Sequence, residues 1–167
     1  MTKDTPLESK KDNTNLRLRS AVVEDSDKIL QWRNDPWIVS LSSGQQAVDP
    51  EEHKVWFQHA LKDPAHSINF IVLDENEIGL LRLHRTDADE ASISIYLLRE
   101  FCGKGYGSRA IGLACGKAWA LWPISRISAV TRVTNAASEH SFKKNGFIVI
   151  TMPDNPATDL LRLCKYR

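Results

Sequence analysis

Residues 95–108 read Ile95-Tyr96-Leu97-Leu98-Arg99-Glu100-Phe101-Cys102-Gly103-Lys104-Gly105-Tyr106-Gly107-Ser108. Three glycines, Gly103, Gly105 and Gly107, fall within five positions. A strand-like alternation precedes them and a helical period follows. A chain places glycine where its backbone adopts positive φ or comes close to a ligand. The first turn of a helix offers free N–H groups and partial positive charge, both suited to phosphate. Taken alone, the turn is also compatible with a tight strand–helix connection that binds nothing, the lesser of the two readings. Behind it, Ala110, Ile111, Ala114, Cys115 and Ala118 recur at spacings of three or four, which predicts a helix from about Ser108 to Leu121 with one apolar face. Gly112 and Gly116 share another face and predict close backbone approach there.

Upstream of the turn, Ala91–Leu98 reads as the third strand of an antiparallel meander. Its earlier strands are Ile68–Leu73 and Ile78–Leu83, and its turns are Asp74-Glu75-Asn76 and Thr86–Glu90. Before the meander the period is helical. Asp49 can cap, Pro50 suits the first helical position and Glu52 stands three residues after the cap. That helix carries His53, Val55, Trp56, Phe57, Ala60 and Leu61 and ends at Asp63-Pro64. An earlier helix is expected from Glu24–Asp27 through Ile29, Leu30 and Trp32, stopped at Asn34-Asp35-Pro36 because Pro36 disfavours helical geometry in Asp35. Residues 40–48 then read as loop. Leu16–Arg19 alternates apolar and basic, as a half-buried first strand does. Residues 1–15 hold only Met1 and Leu7 as large apolar groups and read as a disordered tail ahead of one domain, 16–167. Downstream of the turn come a strand over Ile127–Val133, a short helix over Ala136–Asn145 ended by Gly146, and strands at Phe147–Thr151 and Leu160–Cys164. The expected fold is α/β (α+β): a mixed, mostly antiparallel sheet of about seven strands flanked by four helices.

Two phosphate-binding fingerprints fail at the turn. The Walker A loop needs its Lys after a GxxxxG frame, and Lys104 is misplaced for it. The dinucleotide fingerprint needs Gly or Ala where Ser108 stands, with an acidic residue ~20 positions on. No acidic residue lies between Glu100 and Glu139. Residues 95–108 instead resemble the acetyl-CoA signature of the GNAT N-acetyltransferase superfamily, Arg/Gln-x-x-Gly-x-Gly/Ala after the fourth strand. Asn135-Ala136-Ala137-Ser138-Glu139-His140-Ser141-Phe142-Lys143-Lys144-Asn145-Gly146-Phe147 resembles the second signature, Asn-x-x-Ala-x-x-x-Tyr-x-x-x-Gly-Phe. Both stand in the family's order, and the resemblance covers residues 16–165.

The resemblance implies acetyl-CoA as co-substrate. The pyrophosphate would lie on the backbone N–H groups of the turn, with Cys102, Gly103, Lys104, Gly105, Tyr106, Gly107 and Ser108 as contacts, and with Asn135 and Ser138 from the second signature. It implies a fourth strand splayed from the fifth, so that the backbones of Ile95, Tyr96 and Leu97 meet the pantetheine arm and the Leu97 N–H stabilises the thioester oxyanion. Two positions depart from the family pattern. Cys102 replaces Arg or Gln, and with no His/Asp partner it reads as a small filler rather than a nucleophile. Phe142 replaces the Tyr that protonates the departing thiolate. A CoA thiol with a pKa near that of free Cys, about 8.5, still leaves tolerably near neutral pH, with water, Ser138 or Ser141 as proton source.

Base candidates are Glu90, favoured slightly over His84, with Tyr96 as a further rival and His53 behind them. Ser92, Ser94 and Tyr96 share one strand face and read either as a polar pocket wall or as a hydrogen-bonded core. Relatives that acetylate a ribosomal protein's N-terminus carry Glu where Val130 stands, which argues against that subgroup. Trp32-Arg33-Asn34-Asp35 and Glu52-His53-x-x-Trp56-Phe57 resemble the branch acting on amino-sugar nucleotides in the pseudaminic-acid pathway, and also a broader group acetylating protein N-termini or small amines. Trp32, Arg33, His53 and Trp56 are the acceptor-binding candidates, with core packing as the plain alternative for the tryptophans. A CoA-binding module without turnover is the reading from another class.

Composition removes other functions. Twenty-two basic against 21 acidic residues leave a formal net charge of +1, no field for a phosphate backbone, so nucleic acid is not an expected partner. No apolar run approaches the ~20 residues that span a bilayer, and no signal-peptide pattern opens the chain, so the expected location is cytoplasmic, with no membrane partner. Cys102, Cys115 and Cys164 form no CxxC pair and the five histidines show no ligand spacing, so no metal is expected. A homodimer is left open.

Overall fold

Alternation in the meander produces three long strands. These are β2 (His66–Leu73), β3 (Asn76–Arg85) and β4 (Glu90–Leu97), paired antiparallel in sequence order. The computed structural model describes residues 15–150 and 159–167; the tail expected over 1–15 lies outside them except for Asn15, as does Thr151. Strand β1 (Leu16–Ser20) adds to the free edge of β2. On the other side β4 pairs parallel with β5 (Arg126–Arg132), and β7 (Leu160–Tyr166) inserts antiparallel between β5 and β6 (Ile148–Ile150). The sheet therefore has seven strands in the order β1-β2-β3-β4-β5-β7-β6. The mixed sheet matches the expectation; the crossover placing β7 inside β6 was not legible in the sequence.

Strand period two sorts the side chains onto two faces. Ile71, Leu81, Leu83, Ile93, Ile127 and Leu163 share a core with Ala110, Ile111, Ala114 and Ala118 of helix α4 (Tyr106–Leu121). Helix α5 (Ala136–Lys144) adds Phe142 to the same core. On the other face Ile68, Phe70, Val72 and Leu80 pack with Ile29 of α1 (Ser26–Arg33) and with Phe57 and Ala60 of α3 (Pro50–Lys62). Phe57 and Phe70 are both fully buried, each worth about 2–3 kcal/mol on transfer from water.

The helix punctuation works as expected at α3, where the Asp49 side chain accepts from the N–H groups of Glu51 (2.9 Å) and Glu52 (3.1 Å). At Asp35-Pro36 the same chemistry starts a helix rather than merely ending one. Asp35 accepts from Trp37 N–H at 2.9 Å and Pro36 opens α2 (Pro36–Leu41), so the described residues hold five α-helices and the loop expected from residue 40 starts at Ser42. The close approach expected at the α4 glycines is present at Gly112, where a Cβ would meet Asn145 Oδ1 at 3.1 Å, and absent at Gly116, which has nothing within 4 Å. Asn145 closes that contact through Nδ2, which donates to Ser108 O (2.8 Å) and Ser141 O (2.9 Å) and binds α5 to the first turn of α4.

Candidate active site

The parallel pairing of β4 with β5 is short. Glu90, Ala91 and Ser92 face Arg126, Ile127 and Ser128, and there the ladder stops. Beyond it the strands diverge. Val130, in the middle of a central strand, is 50% exposed, and Ser94 is exposed while Ser92 and Tyr96 are half-buried. The Ser92/Ser94/Tyr96 face is thus only partly covered, open at Ser94 and packed against the α1–α3 core at Tyr96.

Which backbone groups line the gap follows from strand alternation. Leu98 N–H donates to Ile78 O of β3 at 2.8 Å. The Tyr96 carbonyl also faces β3, since a Cβ on Gly79 would lie 2.3 Å from it. Successive residues point their N–H and C=O groups to opposite sides of a strand, so those of Ile95 and Leu97 point away from β3 and into the gap. Gly79 is the residue that permits this close register.

At the wide end of the gap, Gly103 and Gly105 have φ of 74° and 84°. Gly105 is the N-cap of α4 in left-handed geometry, and Arg109 N–H closes the first helical bond on its carbonyl at 3.2 Å. The N–H groups of Tyr106, Gly107 and Ser108 are therefore left without helical partners. A Cβ on Gly103 or Gly105 would meet nothing within 4 Å, so conformation and not packing demands glycine there. The helix starts two residues earlier than its period suggested. Cys102 Sγ lies against the carbonyls of Leu98 (3.6 Å) and Leu97 (4.0 Å), and burial pushes its thiol pKa up, the reverse of an activated nucleophile.

From the second signature, Asn135 caps α5 by accepting from Ser138 N–H at 3.2 Å. Phe142 is 2% exposed and meets Phe147 edge-on at 5.0 Å, so its ring fills the core under α5.

The acid/base candidates separate clearly. Glu90, favoured from the sequence, lies at the closed end of the gap and is 6% exposed. Its carboxylate accepts from Arg126 Nε (2.6 Å), Arg162 Nη2 (2.7 Å) and the Ser128 hydroxyl. Although burial opposes it, those three hydrogen bonds hold its pKa below the ordinary carboxylate value. It is fully occupied and weakly basic, and it lies six residues from Tyr96, about 20 Å along the strand. Glu90 therefore joins β4, β5 and β7 rather than moving protons. His84 stacks on His66 at 4.0 Å. Burial first, then the neighbouring His66 and Arg82, lower its pKa, so the imidazole is neutral at ordinary pH. Its register partner is Ser92 of β4. Tyr96 is the nearest of the three to the open end. Burial pushes its phenol well above the ordinary value, so it keeps its proton.

The acceptor candidates divide as well. His53 is 4% exposed, bonds Ser26 O through Nε2 at 3.0 Å and stacks on Phe57 at 5.6 Å. It ties α3 to α1 and offers no surface to a ligand, which corrects its assignment to the acceptor. Trp32 meets Phe70 edge-on at 5.5 Å and is half core. Trp56 lies under the Arg82 guanidinium at 5.5 Å. Arg33 has an Nη1 buried without a hydrogen-bond partner, as have Tyr96 at its hydroxyl and Trp37 at its indole nitrogen. Arg82 and Trp37 were missed in the sequence. The signal for Arg82 was a lone charge in the apolar run Leu80-Leu81-Arg82-Leu83. For Trp37 it was the Asp-Pro cap that opens α2.

A sheet opened between its fourth and fifth strands, with a glycine turn and a free helix N-terminus at the mouth, is the frame of one family. Its profile, acetyltransferase (GNAT) domain, matches residues 15–148. The chain belongs to the GNAT acetyltransferase family. This GNAT domain superposes on a domain from Methanocaldococcus jannaschii with a TM-score of 0.80 at 18% identity, covering 93% of this chain and 100% of the other. It also superposes on spermidine N-acetyltransferase from Vibrio cholerae in complex with CoA and spermine (TM-score 0.79, 20% identity, 90% and 95% covered). A third is the aminoglycoside acetyltransferase AAC(6')-Ib with ribostamycin and coenzyme A (0.78, 16%, 91% and 93%). No curated protein matches the sequence. Membership makes the chain an acetyltransferase with acetyl-CoA as donor, the enzyme class and co-substrate expected from the two signatures. Among the described residues no group of His, Cys, Asp or Glu is placed to hold a metal ion, and no helix is long and apolar enough to cross a membrane.

Proposed function

We propose that this GNAT enzyme moves the acetyl group of acetyl-CoA to a primary amine by direct attack in a ternary complex, with an amino-sugar nucleotide as the leading acceptor. The observation that carries the ternary mechanism is the divergence of β4 from β5 beyond Ser92/Ser128. It leaves the Ile95 and Leu97 backbone groups free for the pantetheine arm, with the acceptor approaching from the opposite, α1–α3 side. The turn at residues 103–108 takes the pyrophosphate on backbone N–H groups. The amine nitrogen adds to the thioester carbon, and the Leu97 N–H receives the developing oxyanion. The C–S bond then breaks, the nitrogen gives up its proton and the thiolate gains one. Neutral His84 is the base on the acceptor face. Its place opposite Ser92, about 13 Å along the strand from Tyr96, makes it act at one remove from the amine. The Tyr96 phenol holds the acceptor.

Thiol release from acetyl-CoA with a panel of amines, followed across pH, tests the proposal. The wild type is expected to lose rate as pH falls through a pKa below the usual imidazole value, about 6.5, and His84→Ala to lose that limb while Tyr96→Phe keeps it. An unchanged limb in His84→Ala would show that the amine gives its proton to solvent. Acetyl-CoA binding with no thiol release for any amine would favour the module without turnover.

A further inference from the structure

On the α1–α3 side of the sheet stand two guanidinium groups with no carboxylate partner among the described residues. Arg82 stands opposite Ser94 on β3, and Tyr96 is Ser94's next neighbour on the same face of β4. Arg33 ends α1, whose preceding residue Trp32 packs on the same core as Tyr96. It lies near enough that its charge acts on both Arg82 and Tyr96. Among the described residues no ion pair involves Arg33 or Arg82, whereas Arg19, Arg126, Arg132 and Arg162 all have carboxylate partners. Arg33 Nη1 and the Tyr96 hydroxyl are buried with no hydrogen-bond partner.

Such an arrangement is costly as it stands. A buried donor left unpaired forfeits its hydration, a penalty greater for a charged group. A guanidinium cannot escape by losing its proton, and two like charges oppose each other. The Trp56 ring beneath Arg82 compensates one cation in part, but gives Arg33 nothing and supplies no acceptor oxygen. What would satisfy all three groups at once is an oxyanion, since the planar fork of arginine matches carboxylate and phosphate geometry. That anion is not the CoA pyrophosphate. Tyr96 and Leu97 point to opposite faces of β4, and the glycine turn leads into α4 on the Leu97 side.

We infer that the acceptor amine carries a carboxylate or phosphate, seated between Arg33 and Arg82 with the Tyr96 hydroxyl as a third donor. The inference rests on the acceptor side proposed above and narrows its substrate to anionic amines. Polycations such as the spermine and ribostamycin seen with the structural relatives would meet two positive charges here. The phosphates of an amino-sugar nucleotide satisfy the requirement, and so does a carboxylated amino sugar.

Calorimetry on the full chain saturated with CoA tests this. The probes are glucosamine, glucosamine 6-phosphate, muramic acid and spermidine. Glucosamine 6-phosphate or muramic acid is expected to bind at least tenfold more tightly than glucosamine, with spermidine weakest; which of the two wins separates phosphate from carboxylate. Arg82→Gln and, independently, Arg33→Gln should erase the advantage while leaving CoA affinity unchanged, in variants whose melting shows them folded. Equal binding of glucosamine and both anionic probes, no binding of either anionic probe, or an advantage that survives both substitutions would overturn the anion site. Failure of CoA itself to bind would instead sink the acetyltransferase reading.

Discussion

Replacing Gly79 with alanine tests whether the β3–β4 register sets the catalytic backbone. A Cβ at Gly79 would lie 2.3 Å from the Tyr96 carbonyl oxygen and 3.0 Å from Leu97 Cα. Ordinary contact begins near 3.4 Å, so β4 must retreat by about 1 Å, because the nearest atom is backbone and, unlike the Leu97 Cδ2 at 2.9 Å, cannot rotate aside. Overpacking of this kind costs about 1–3 kcal/mol, a fall in melting temperature of roughly 2–4 °C per kcal/mol for a chain of this size. The retreat is aimed at the gap where Ile95 and Leu97 present their N–H groups. A 1 Å misplacement of a positioned group can cost about 10²-fold in rate. The expected result for Gly79→Ala is a folded protein melting about 5 °C lower, with kcat/KM reduced by about two orders of magnitude. Thermal melting and steady-state thiol release measure both. A variant that melts with the wild type and turns over at its rate would show that the Tyr96–Leu97 backbone is not held against Gly79 and that the oxyanion contact lies elsewhere.

Glu90→Gln leaves Arg126 and Arg162 facing a neutral amide and should cost about 1–3 kcal/mol in urea denaturation near pH 7, less than for a fully buried pair because both arginines are partly exposed. Because the folded-state pKa of Glu90 is depressed, its contribution is present above the ordinary carboxylate pKa and is lost as pH falls through the folded value, so variant and wild type should converge in acid; a pH–rate profile altered by this substitution would return Glu90 to candidacy as the base. Gly105→Glu puts a side chain on a position with φ of 84° and a negative charge at the helix N-terminus. Calorimetry should show acetyl-CoA affinity reduced about 10²-fold, and undiminished binding would mean that the pyrophosphate lies elsewhere.

The donor half of the site was legible because backbone makes it. Glycines at 103 and 105 report positive φ directly, and an apolar period reports the helix behind them, so the turn, the gap strand and the core could be read in order. The same dependence on backbone explains why Cys102 and Phe142 could depart from the family pattern without disturbing the frame: one lies against two carbonyls and the other fills the core. The setting of Glu90 was not legible because its three partners come from residues 126, 128 and 162. Those residues reach it only through the parallel β4–β5 pair and the insertion of β7, and neither leaves a local signal.

The acceptor half follows the opposite rule. Arg33 ends α1, Arg82 lies within β3, Tyr96 near the end of β4 and Trp37 in α2. No two of them are neighbours in sequence except across the Asn34-Asp35-Pro36 turn. That turn sets the relation between Arg33 and Trp37. Asp35 caps and Pro36 starts α2, while Asn34 holds the segment to Val48 by accepting its N–H (2.7 Å) and donating to its carbonyl (2.9 Å). The α1–α2 corner is thus built to be rigid in a region where α2 has only six residues, too few to be stable as a helix by itself. On one side the corner carries Arg33, whose Nη1 is buried without a partner among the described residues; on the other it carries Trp37, which lies against Arg99 and Cys102 beside the glycine turn. On the proposed reading, acceptor specificity resides in side chains of α1 and β3, while the transfer chemistry resides in the backbone of β4 and the turn into α4. Under that division the side chains change with the acceptor while the frame stays, and on this chain Arg33 and Arg82 make the proposed acceptor side positive.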